Sequence, residues 1–217
     1  MYDAEIRYTD EMIGRLFEHV QSLDLGPTAF IVTADHGELF GEHGLLSHKV
    51  VVDDALAHVP LVTHGFEGIE ARTDELVQHV DLSTTLAELV GQGSDQLQGV
   101  DLRETAREHA FVQRGPFDFD LFTDVDPAFD TSGFHHGTVH AVRTKAFRYE
   151  RSERMERLYE LPDETTDVRD AYPEVTESLS GTLEAWVEAN ADPVEAETDS
   201  QLDEAMREQL RDLGYVE

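Results

Sequence analysis

Residues 28–34, Thr-Ala-Phe-Ile-Val-Thr-Ala, are apolar and β-prone without alternation, and they run directly into Asp35-His36-Gly37-Glu38. A strand lacking a polar face is expected to be covered on both sides. That reading points to an open α/β sheet, where reactive groups collect just beyond the ends of the strands. A polar loop with Gly37, Gly41 and Gly44 follows and closes on His48-Lys49. Acid, imidazole and ammonium are thus gathered past one strand end.

The flanking segments fit that frame. Ile6, Ile13, Leu16, Phe17, Val20 and Leu23 follow the three-to-four spacing of a buried stripe, which predicts a helix over residues 3–23. Gly26-Pro27 breaks it. A second short strand is expected at residues 59–63, with Pro60 at its start. Residues 50–56 suit a short helix or an extended stretch. Residues 73–90 read as helical with a break near Asp81, which can cap the second piece, and Gly91 stops it. Strands are expected at residues 109–114 and in three short pieces between residues 140 and 161, forming a small antiparallel sheet. Residues 116–133 are rich in Asp and Phe and show no period. A helix follows Pro173, and residues 191–217 form an acidic tail with one possible helix. There are no internal repeats.

The formal charge is −31, and only two of the 16 basic residues, Lys49 and Lys145, are lysines. The acidic residues are spread along the chain rather than blocked. We read them as a solvated surface suited to concentrated salt, as in a halophile, where self-repulsion is screened. No basic stripe offers phosphate contacts, so nucleic acid is excluded as a partner. Without cysteine, disulfides, thiolate catalysis and Cys-ligated zinc are excluded for this chain. No apolar run approaches a membrane span, and the acidic first residues lack the basic start of a signal peptide. The sequence therefore reads as soluble and cytoplasmic.

Asp35 offers hard oxygen and His36 an imidazole, a pair suited to a divalent cation. The alternative is a tight turn in which Asp35 caps a backbone N–H; the surrounding loop favours the metal. Lys49 suits a point contact to an anionic oxygen. His48 or His43 can protonate a leaving group or support a ligand from behind, with His48 favoured as Lys49's neighbour. His135, His136 and His140 form a second imidazole cluster, read as loop and strand-edge residues rather than a metal site.

In order, the Y-D-A-E-I-R-Y-T-D-E-M-I-G helix, T-A-D-H-G-E…G-E-H-G-L-L-S-H-K, H-V-P-L-V, V-D-L-S-T-T-L-A-E-L-V-G and V-R-T-K-A-F-R-Y…L-Y-E-L-P-D-E-T-T-D-V resemble the C-terminal part of the sulfatases of the alkaline phosphatase superfamily. The resemblance runs from about residue 2 to 186. It implies metal ligation by Asp35 and His36, a sulfate contact by Lys49 and leaving-group assistance by His48. The implied cation is Ca²⁺, with Mg²⁺ or Mn²⁺ as alternatives. The family's C/S-x-P-x-R nucleophile motif is missing, since no proline here has Ser, Thr or Cys two residues before it, and no proline follows Ser83.

The expected architecture is accordingly α/β. Residues 1–108 would form the C-terminal part of a partial alkaline-phosphatase-like sandwich with a parallel or mixed sheet and flanking helices. Residues 109–190 would form a small antiparallel sheet with a helix, ahead of the tail. The expected substrate is a small-molecule or glycan sulfate ester, with a phosphate or phosphonate ester as the alternative. A further alternative is a non-catalytic remnant, or a subunit whose partner chain carries the N-terminal half.

Overall fold

A computed structural model describes residues 2–66, 68–69, 75–94, 96–104 and 106–190. The tail and its possible helix lie outside the described residues. Residues 1–183 form one compact unit and residues 184–217 a second. In the second unit the final turns of a helix end at Asn190, whose side-chain amide donates to the Trp186 carbonyl at 2.7 Å. Among the described residues no helix is long and apolar enough to cross a membrane.

Helix α1 spans Tyr2–Ser22. Its stripe reaches one neighbour: Phe17 packs edge-on against Phe30 and His64, at 4.8 and 5.0 Å. The expected buried stripe is not found. No α1 residue is buried, and Ile6, Leu16 and Leu23 are exposed. A two-stranded sheet is too narrow to cover a 21-residue helix.

Strands β1, Phe30–Thr33, and β2, Leu61–His64, pair antiparallel with Phe30 opposite His64. Among the described residues both sheets are antiparallel, and no parallel pair is seen. The four residues of α2, Asp54–Ala57, are the only α-helix between β1 and β2, far shorter than a crossover helix. Nor is β1 buried on both faces, since its residues are half-buried or exposed. Residues 50–56 combine both expected forms: extended Val50 and Val52 pack inward, and α2 follows.

Helix α3, His79–Leu89, starts later than expected. Leu76 instead bridges to Arg107 outside any helix. Asp81 acts from inside the first turn, accepting from the Gln78 N–H at 2.8 Å and from the Val100 N–H at 2.9 Å. It is fully buried and also accepts from the Arg107 guanidinium. Gly91, with φ +70°, ends the helix as a left-handed stop.

The second sheet is an antiparallel meander of β3 (Ala110–Arg114), β4 (Val139–Arg143), β5 (Phe147–Arg151) and β6 (Glu156–Glu160). Between β3 and β4 the segment without a period forms α4, Asp120–Val125, and its phenylalanines build a core. Phe119 is buried with Leu39, Leu45, Val50 and Leu56, and Phe117, Phe122, Phe129 and Phe134 pack around them. Each such buried side chain contributes roughly 2 kcal/mol. The loop that follows β1 therefore rests on an aromatic bed supplied from about 70–95 residues downstream. Helix α5, Pro173–Ala189, begins where the proline predicted.

Candidate functional site

Residues 35–49 hang from β1 by a close backbone approach. Gly37 N–H donates to the Leu56 carbonyl at 2.9 Å, and a Cβ at Gly37 would lie 2.0 Å from the Ala55 oxygen. Glycine is therefore required in the Asp-His-Gly-Glu turn. The loop closes on itself through Leu39 N–H to Ser47 O at 3.0 Å and Gly41 N–H to Leu45 O at 2.9 Å. Leu39 and Leu45 point down into the phenylalanine core, and Glu42 between them stays exposed.

Asp35 and His36 sit together at the start of this loop. Asp35 Oδ1 accepts from the His36 N–H at 3.0 Å, so the turn capped by Asp35 does form. The same geometry suits a cation. His36 Nδ1 lies 2.8 Å from the Gly37 carbonyl, which can only accept. Nδ1 therefore carries the proton, and in the neutral ring Nε2 keeps its lone pair. That Nε2 is 3.7 Å from Asp35 Oδ2. Two donors about 2.3 Å from one ion and this far apart subtend roughly 107° at it, a workable ligand angle. A carbonyl fixing the tautomer from behind is the usual support for a ligating histidine. Among the described residues no third His, Asp or Glu joins them. The donor set fits two ligands of a divalent site, not a whole one.

His48 stacks on His36, with centroids 4.6 Å apart and planes at 14°. Its Nδ1 lies 3.1 Å from Glu38 Oε2, and its side chain is exposed at the loop surface. Lys49 is exposed, and its N–H donates to Ser47 Oγ at 3.3 Å. Asp35, His36 and His48 thus share one open surface, with Lys49 next in the chain. At the end of β1, Thr33 Oγ1 lies 3.4 Å from His79 Nε2, an imidazole that sequence reasoning passed over. A recess of about 390 Å³ lies at the opposite, Phe30 end of β1 and is lined by none of these groups.

His43 separates from His48. Its Nε2 bonds Asp53 Oδ2 at 2.5 Å, beneath the loop, and its backbone is left-handed at φ 55°. Asp53 leads into a buried ionic network on the second sheet. Arg148, 1% exposed, sets Nη2 3.0 Å from Asp53 Oδ1, off the hydrogen-bond direction, so that contact is ionic. Its Nη1 donates to Glu150 Oε2 and its Nε to Glu164 Oε1 at 2.8 Å. Tyr159 stacks beneath the guanidinium at 4.6 Å. Burial pushes Glu150 up, but the His135 hydrogen bond and the Arg148 charge override it and hold the carboxyl below its ordinary range.

His135 lies in the loop before β4, as expected, but its side chain joins this network. It is buried, with Nε2 3.1 Å from Glu150 and Nδ1 2.7 Å from Ser152 Oγ. His136 is exposed near the Thr131 carbonyl, and His140 is half-buried on β4. The three do not form a cluster. Asp53 also sits where an α2 cap is wanted but is engaged elsewhere. The free Asp54 N–H goes to both oxygens of Glu164 at 3.0 and 3.1 Å, and Arg143 grips the Asp54 carboxylate at 2.7 and 2.8 Å. Arg148, Glu150 and Glu164 were missed because charged residues in short strands and turns carry no periodic signal of burial.

Residues 1–92 match the sulfatase family. Arylsulfatase K of Canis lupus familiaris is 31% identical over 201 residues, covering 86% of this chain. The family match is carried by residues 1–92, and the likeness to arylsulfatase K extends over most of the chain. The chain spans 36% of the length of that relative. The crystal structure of the phosphonate monoester hydrolase of Agrobacterium radiobacter superposes with a TM-score of 0.64 and 25% identity, over 81% of this chain and 38% of that one. A 2-O GAG sulfatase structure shares the fold at a TM-score of 0.59 and 17% identity, over 76% of this chain and 37% of its own. Within the sulfatase family, the Asp35–Lys49 loop is the part of this chain richest in candidate ligands and proton carriers.

Proposed function

We propose that this sulfatase-family chain supplies one half of a site hydrolysing the sulfate ester of a small molecule or glycan. Asp35 and His36 would hold a divalent cation, Ca²⁺ first and Mg²⁺ or Mn²⁺ as alternatives. A bound cation supplies Lewis-acid polarisation of the ester oxygens. Lys49 neutralises a sulfate oxygen as a point charge. His48, with Nδ1 tied to Glu38, delivers a proton from Nε2 to the departing oxygen. The nucleophile, and the rest of an α/β sandwich with a parallel or mixed sheet, would come from polypeptide outside these 217 residues, on the same or a separate chain.

The observation that carries this reading is the fixed His36 tautomer, with Nε2 3.7 Å from Asp35 Oδ2. Calorimetric titration of the chain with CaCl₂ should show weak binding, with Kd on the order of 0.1–1 mM as for sparsely liganded sites, lost in Asp35→Ala. An aryl-sulfate assay should show no turnover by this chain alone. Hydrolysis that requires both metal and Lys49 would overturn the half-site reading, and calcium binding unchanged in Asp35→Ala would overturn the ligand assignment.

The likeness to a phosphonate monoester hydrolase at 25% identity favours one second reading, a phosphate or phosphonate ester as substrate. Lys49 and the cation ligands suit either anion, so the distinction rests with the nucleophile.

A further inference from the structure

We propose that His43 is a positioning residue, which ties the loop carrying His48 and Lys49 to the second sheet through a hydrogen bond to Asp53 that Arg148 holds in place. The role in positioning Lys49 rests on the sulfatase reading above; the tie itself does not.

Three observations bear on it. His43 has φ 55°, a left-handed conformation that a side chain with a Cβ adopts only when its surroundings enforce it. The loop reaches this point through Gly41 at φ 117° and leaves through Gly44 at φ 72°, so two glycines flank the bent histidine. The turn then drives the imidazole down instead of out. Its Nε2 meets Asp53 Oδ2 at 2.5 Å, and its ring stands edge-on to Phe134 at 5.8 Å. Asp53 is in turn fixed by Arg148, whose other nitrogens are anchored on Glu150 and Glu164. The chain of contacts therefore runs from the loop, through Asp53, to β5 and the segment after β6. Nothing else described on the loop makes a charged contact with that sheet.

The bond is strongest with His43 as imidazolium, because a charged donor then meets a charged acceptor. The groups facing it are Asp53, Glu42 and Glu150, which favour the charge, and Arg148, which opposes it. His135, Arg114 and Arg157 share the small cavity it lines, about 20 Å³. The Asp53 hydrogen bond raises the His43 pKa against the opposing effect of burial. A raised folded pKa fixes the sign. The tie is at full strength below the pKa of a free imidazole and weakens as pH rises through the folded value. Alkaline pH should therefore loosen the loop without disturbing the strands.

Hydrogen exchange on the full 217-residue chain tests this, corrected for intrinsic rates. Protection of the Leu39, Gly41 and Leu45 amides should fall roughly 3- to 10-fold between pH 6 and pH 9, while the Ala141 and Tyr149 amides in β4 and β5 stay protected. His43→Gln should show the lower protection at both pH values, with no pH dependence. Protection in the wild type that ignores pH, or a variant that follows the wild-type curve, overturns the proposal. Should His43→Gln fail to fold, the His43 ring titration in the wild-type NMR spectrum decides it. A midpoint above that of free imidazole supports the tie and one at or below it overturns it. Neither measurement needs cation or ester. A pH-linked loop without calcium binding retains the tie and removes the sulfatase role; calcium binding with a pH-independent loop does the reverse.

Discussion

Asp35 and Glu150 are both carboxylates beside an imidazole, yet the Asp35 side chain is 89% exposed and that of Glu150 is 5% exposed. The two sites use the same chemistry for different ends. Glu150 is surrounded by Arg148, His135 and Arg157, so its donors and acceptors are spent inside the protein. Apart from His48 stacked on the His36 ring, Asp35 and His36 have hydrogen bonds only within their own turn among the described residues. Buried charge that is internally matched holds a fold in one arrangement; exposed charge that is only locally matched is available to a ligand. By that criterion the ionic network on β5 is architecture, and the 35–49 loop is the candidate site.

The sharpest way to break this contrast is Arg148→Met. It leaves Asp53, Glu150 and Glu164 facing one another without their shared cation, and should cost about 3–5 kcal/mol in urea unfolding. A cost below about 1 kcal/mol would show that the network is not the sheet's keystone. Gly37→Ala comes next. Its Cβ would meet the Ala55 oxygen at 2.0 Å, so the turn must shift, at about 1–3 kcal/mol in the same measurement. Cation binding should fall with it, because Asp35 and His36 ride on that turn.

Acid supplies a smaller, graded effect. Asp54 is pushed up by burial, but the Arg143 pair outweighs this and holds it low, and Glu150 is likewise held low. A depressed folded pKa contributes stability that is complete above the unfolded carboxylate value, ~4, and is lost as pH falls through the folded one. Glu164 has the opposite sign: burial raises it beyond what Arg148 restores, so its contribution is lost as pH rises. Thermal melts should therefore fall steeply only below about pH 4. A melt already collapsing near pH 6 would contradict this balance. The smallest effect belongs to Lys49→Ala, within about 0.5 kcal/mol of wild type. A larger loss of stability would mean that Lys49 is structural and would weaken its assignment to sulfate.

Much of this was legible without coordinates. Helix α1 was expected at residues 3–23 and runs Tyr2–Ser22; the strands at 109–114 and 140–161 and the helix after Pro173 fall where periodicity and proline put them. Asp35 and His36 were identifiable because a strand ending in Asp-His-Gly is a local pattern. The Phe-rich segment was illegible for the opposite reason. Its five rings take spacing from the loop they support, not from a helix or strand of their own. The stripe of α1 misled in another way: it correctly gives a helix, but periodicity says only that a face is apolar, not that a neighbour covers it.

Strand β5 shows most clearly where sequence ends. Phe-Arg-Tyr-Glu-Arg alternates like a strand with one wet face, yet Arg148, Tyr149 and Glu150 are all buried. The alternation fixes that Arg148 and Glu150 share a face. That this face is dry is decided by Asp53 and Glu164, residues 95 and 14 or more positions away along the chain, which arrive there only after folding. Hydrophobic periodicity, turn chemistry and the Asp-His-Gly turn act within a few residues, so the sequence alone determined the elements, the family resemblance and the two candidate ligands. Ion pairing acts through space and leaves no periodic trace, so only the tertiary structure could separate His43 from His48 and draw His135 into the core.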